Sequence, residues 1–136
     1  MVFLTNLQRR ILAVLEEAGE ENVSALTNTV STPHGMTEEI LAMADAIAGL
    51  VGAECVRIAT HRDDPHRRWI PLSSEDTSEL LRDLKSHFEW SDSQGYWKWR
   101  TDFATAVVLL TDSGKMAAQR VLSEDGWPEE PLDSYE

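Results

Sequence analysis

Apolar residues recur at helical period through Leu7, Ile11, Val14, Leu15 and Ala18, and the stripe stops at Gly19. Thr5 and Gln8 stand three apart at its head, the spacing of a capping box, so a first helix is expected near residues 5–18. The polar link Glu20-Glu21-Asn22 leads to a shorter helical segment, 23–30, in which Leu26 and Val30 lie four apart. Pro33 and Gly35 then enforce a turn. Thr37 is the expected cap of a third helix, 37–51, with Glu38 and Glu39 complementing the positive end of its dipole. On a helical projection Ile40, Met43, Ala44, Ile47, Leu50 and Val51 share one arc, and Glu38, Ala42, Asp45, Ala46 and Gly49 are expected to face away from it.

The period then changes to two. Val56 and Ile58 mark a strand over 54–60, and Ile70 and Leu72 mark its partner over 67–72. The tip between them is His61-Arg62-Asp63-Asp64-Pro65-His66-Arg67. A fourth helix is expected over 76–88 on Leu80, Leu81, Leu84 and Phe88, with Lys85 and His87 near its negative end. Ser91 and Gly95 bound a loop, after which 96–100 and 104–110 are expected to pair as a second hairpin. Thr111 caps a last helix, 112–122. The pattern is that of one α+β domain over 1–122 and an acidic tail over 123–136 rich in turn residues. It contains no fixed-period repeat and no low-complexity tract.

At 136 residues and 42% hydrophobic content, one core without disulfides or metals is sufficient. Apolar runs such as 104–110 are far short of the roughly 20 residues of a membrane span, and the first residues lack a basic region and a cleavage-site pattern. A cytoplasmic protein that uses no membrane is expected. Cys55, the single cysteine, sits beside Val56 and Ile58 and is read as a small buried residue rather than a reactive thiol.

The formal charge of −12, from 24 acids against 12 bases, opposes bulk attraction to nucleic acid or anionic membrane. Nine of the bases are Arg. That skew suits a salty cytoplasm or a high-GC genome, and in the first case the acidity reports habitat rather than partner.

Helix, short helix, turn, a third helix running into Gly49-Leu50-Val51, and then a two-stranded wing resembles the winged-helix domain. The segment Leu109-Leu110-Thr111-Asp112-Ser113-Gly114 before a helix resembles the wing exit of MarR- and PadR-type transcriptional regulators. The resemblance implies a mainly helical winged-helix domain with a β-hairpin wing, to which this chain adds a helix and an aromatic hairpin. It maps the recognition helix onto Thr37–Gly52 and the wing onto 61–68. Family members carry basic and amide side chains on the recognition helix, and this one offers acids and very small residues. The wing keeps bases: His61, Arg62, His66, Arg67 and Arg68 suit phosphates or a narrow minor groove, and Asp63 and Asp64 offset two of them. A solvated tip with local Arg–Asp pairing is the alternative.

Candidate chemistry is sparse. His61 and His66 with the intervening aspartates match no metal-site spacing, and no nucleophile elbow or phosphate loop occurs. A non-enzymatic protein without cofactor or metal is expected. Phe88, Trp90, Tyr96, Trp97, Trp99 and Phe103 crowd one stretch of a chain with few other aromatics. Trp90, Tyr96, Trp97 and Trp99 form either a small core or an exposed patch for a partner or ligand. Two functions remain. The resemblance favours a transcriptional regulator, possible as a homodimer, that contacts double-stranded DNA mainly through its wing. The acidic helix favours a protein-binding module on the same scaffold.

Overall fold

The computed structural model describes residues 4–30, 32–60, 66, 68–101 and 104–125. The chain is mixed α+β, with five helices, a four-stranded antiparallel sheet and a separate two-stranded hairpin among the described residues. Helix α1, Asn6–Ala18, begins in the expected capping box: Gln8 donates its backbone N–H to Thr5 Oγ1 (3.1 Å), and Thr5 donates its own to Gln8 Oε1 (2.9 Å). Every residue from Ile11 to Leu15 is buried, because α1 is covered by α2 (Val23–Val30), α3 (Thr37–Gly52) and α5 (Asp112–Asp125). Helix α1 is the centre of the core.

The link Glu20-Glu21-Asn22, expected as a connector, is strand β1, Glu20–Asn22. Its polar side chains suit an edge strand, where only the backbone has to pair. Asn22 also caps α2 by accepting the N–H of Ala25 (2.7 Å). Strand β2, Val56–Thr60, pairs with β3, as expected, although β3 is only Ile70–Pro71. Trp69, just before β3, donates its indole N–H to Glu20 (3.1 Å) and so ties the two outer edges of the sheet together.

The second hairpin forms with different partners from those expected. Residues 96–100 do not pair with 104–110. Strand β4, Phe88–Ser91, pairs with β5, Tyr96–Trp99, and β6, Ala106–Leu110, lies between β1 and β2 to give the order β1-β6-β2-β3. The reason lies in β6 itself. Ala106, Val107 and Val108 are buried in succession, so this strand is apolar on both faces and belongs in a sheet centre. The fourth helix correspondingly ends early: α4 is Ser74–Arg82, a single 3-10 turn follows over Leu84–His87, and Phe88 opens β4 rather than closing a helix.

Helix α5 packs along α1 and continues to Asp125, past the expected end at 122; the remaining tail, 126–136, lies outside the described residues. Its start is fixed to the turn between α3 and β2. Thr111 caps it by accepting the N–H of Gly114 (3.0 Å) and donates its own N–H to the Cys55 carbonyl (3.0 Å). A side chain at Gly114 would collide with that carbonyl, since a Cβ there would stand 1.8 Å from the Cys55 oxygen. No helix among the described residues is long and apolar enough to cross a membrane.

Candidate interaction surface

Helix α3 is capped differently from the sequence expectation. Thr37 is its first residue rather than its cap, and the cap position falls on Met36, which has no side-chain acceptor. Glu39 takes over. Its carboxylate is buried and accepts the backbone N–H groups of His34 (2.9 and 3.0 Å) and Met36 (2.6 Å), so the turn containing Pro33 and Gly35 is held onto the helix. A buried charge is tolerable here because backbone donors surround it.

The outward face of α3 is rotated relative to the projection. Ala46 is not exposed but 6% accessible, because α1 crosses on that side and Gln8 donates its amide to the Ala46 carbonyl (3.2 Å). Gly49 is accessible yet abuts the same side chain: a Cβ there would stand 2.4 Å from Gln8 Nε2. Ala42 is half-buried. The small residues on this flank therefore admit α1. The open stripe runs instead through Glu38, Leu41, Asp45, Ala48 and Gly52, at helical spacing. Leu41, which falls in neither the buried arc nor the outward set of the projection, is 50% exposed at its centre. The signal available was a leucine displaced from the main apolar arc, on the side opposite Ala46.

Helix α4 covers the other flank of α3. Thr77 and Leu81 are buried against it, and a shallow groove between the helices is lined by Asp45 and Ala48 on one side and Ser78 and Arg82 on the other. Arg82 is the single base in that lining. Helix α3 carries no Arg, Lys, Asn or Gln to read a base edge and no base to neutralise a phosphate.

Of the expected wing residues, His61, Arg62 and Arg67 lie outside the described residues, as do Asp63 and Asp64; His66 and Arg68 are exposed. No group of three His, Cys, Asp or Glu among the described residues has the geometry of a metal site. Cys55 is buried, and burial pushes its thiol above its ordinary range.

The aromatic hairpin is mostly consumed by packing. Trp97 is 8% exposed and faces Trp90 across the strands, ring centroids 5.2 Å apart, while its other neighbour Phe88 stands edge-on at 6.1 Å. Trp99 is half-buried, sits edge-on to Phe88 (5.3 Å) and donates its indole N–H to the Ala104 carbonyl (3.2 Å). Trp90 lies over Gly35, whose φ of +79° and missing side chain make room for the ring; a Cβ would approach it to 2.6 Å. Asn28 of α2 then docks the hairpin. It accepts the Trp97 N–H (2.9 Å) and donates to the Trp97 carbonyl (2.8 Å), acting as a one-residue substitute strand. Of the four residues expected as a patch, only Tyr96 is exposed.

Comparison with protein-family models, with characterised proteins and with solved structures found no match to this chain.

Proposed function

We propose that this chain is an acidic protein-interaction module on a winged-helix arrangement, in which the helix that would read DNA instead presents an apolar spot between carboxylates to a protein partner. The observation that carries this reading is the open stripe of α3: Leu41 half-exposed between Glu38 and Asp45, with α4 along one flank. Approach of that stripe to a duplex would bring two carboxylates toward phosphates and would bring α4 against the backbone. A basic partner with an apolar anchor gains from both features, since a buried aliphatic contact surrounded by complementary charge is a common interface pattern.

Support for the winged-helix arrangement comes from the order of elements. Strand β1 lies between the first two helices, and it joins a sheet whose central strand, β6, pairs with both β1 and β2. On this reading β2 and β6 are the two strands of the wing, and β3, α4 and the aromatic hairpin are an insertion within it. That insertion is what separates this chain from the MarR and PadR pattern.

A second reading, a regulator that touches duplex DNA through its wing, draws on the cluster Arg62, Arg67 and Arg68. Site-specific crosslinking in the source cell distinguishes the two. A photoreactive side chain at Leu41 or Ala48 is expected to give discrete protein adducts, whereas one at Glu17, on the exposed end of α1, gives none. Nucleic-acid adducts from a probe at Arg68, without protein adducts at Leu41, would overturn the interaction-module reading.

A further inference from the structure

A groove of about 650 Å³ opens between the β2–β3 edge and the outer face of α4. It lies on the far side of α4 from the stripe on α3, so it is independent of the function proposed above. Its apolar surface is Ile70, Leu72 and Leu80, and Ile70 is 43% exposed on the edge strand. Its rim is the carboxylate row Asp76, Glu79 and Asp83, which the turns of α4 and its C-cap place on one side, with His87 the one base in the described lining. None of these three side chains has an ion pair or hydrogen bond among the described residues.

We propose that this groove binds a small organic cation: an amine or quaternary ammonium group carried on an aromatic or branched aliphatic body. Three like charges along one wall of a concave surface raise the negative potential there and concentrate cations. The carboxylates are strung along the helix and do not converge into a metal cage. An extended organic cation therefore matches the row better than a bare ion. The apolar body would cover Ile70 and Leu80, surface whose removal from water is favourable, and the volume is that of an ordinary small-molecule site. The ammonium group would face the rim, where Glu79 is flanked by Asp76 and Asp83.

The test compares three ligands of nearly equal shape by chemical-shift titration of the intact chain: phenethylamine, phenethyl alcohol and hydrocinnamate. The amine is expected to saturate with a dissociation constant of about 1 mM, the alcohol to bind more weakly and the anion not to bind. The combined change Asp76→Asn, Glu79→Gln and Asp83→Asn should weaken the amine at least about tenfold. A control with Glu17→Gln, Glu89→Gln and Glu124→Gln removes the same charge elsewhere and should leave binding unchanged. Ile70→Ser should weaken amine and alcohol alike. Circular dichroism on each variant separates lost binding from lost fold. Equal binding of amine and alcohol, equal loss in the control, or no saturation would each overturn the proposal.

Discussion

The aromatic hairpin and helix α3 make opposite use of their residues. The hairpin holds the side chains that usually anchor interfaces, and it spends them on its own packing: Trp97 and Phe88 are buried, Trp90 lies on Gly35, and Trp99 is bonded to the Ala104 carbonyl. Helix α3 is poor in such side chains, yet it leaves a continuous stripe open with Leu41 at its centre. The difference teaches that availability, rather than side-chain type, identifies a surface. A residue rich in contact area contributes to a partner only if the fold has not already used that area.

If the hairpin is internal structure, its residues should matter greatly for stability. Trp97→Ala should cost about 3–5 kcal/mol, the range for truncating a large buried aromatic, read as a fall in the denaturation midpoint. A loss under about 1 kcal/mol would mean that the hairpin is only loosely seated and that its indoles are free to meet a partner. Next in size is Asn28→Ala. It leaves the Trp97 N–H and carbonyl without their docking partner and should cost about 1–3 kcal/mol, with exchange protection lost at the Trp97 amide. Retained protection there would contradict the substitute-strand role of Asn28.

The smallest stability effect should come from the open stripe. Leu41→Glu is expected to change stability by less than about 0.5 kcal/mol, because the side chain is half in water already. A large destabilisation would show that Leu41 belongs to the core and that α3 has no free face. Paired with Trp97→Ala and Asn28→Ala, this measurement reads the contrast directly: large effects where the hairpin packs and docks, almost none at Leu41.

Much of the fold was legible because local signals agreed with one another. The capping box at Thr5 and Gln8, the periods of α1 and α3, the Thr111 cap and the pairing of β2 with β3 all follow from neighbours in sequence. The errors arose where long-range pairing decides. Glu20-Glu21-Asn22 has no strand pattern, and it becomes β1 only because β6 offers a free edge. Proximity in sequence points residues 104–110 to the nearest hairpin, whereas the apolar character of β6 on both faces calls for a place between two strands. The site shows the same limit: the projection puts Ala46 on the outward face, whereas α1 passes over it at Gln8; Gly49 is exposed as expected, but a side chain there would meet Gln8. Which side of a helix is open depends on what crosses it, and projection of one helix alone does not contain that.

The central claim is that α3 presents itself to protein and not to DNA. The direct measurement is fluorescence anisotropy of labelled random-sequence duplex DNA, titrated with the unmodified chain at about 50 mM salt and repeated at about 200 mM. The account predicts no binding at either salt concentration, since the stripe carries Glu38 and Asp45 and the chain a formal net charge of −12. Binding at low salt that falls steeply with added salt, and that disappears when Arg62, Arg67 and Arg68 are replaced by alanine, would contradict it and establish the wing as the functional surface.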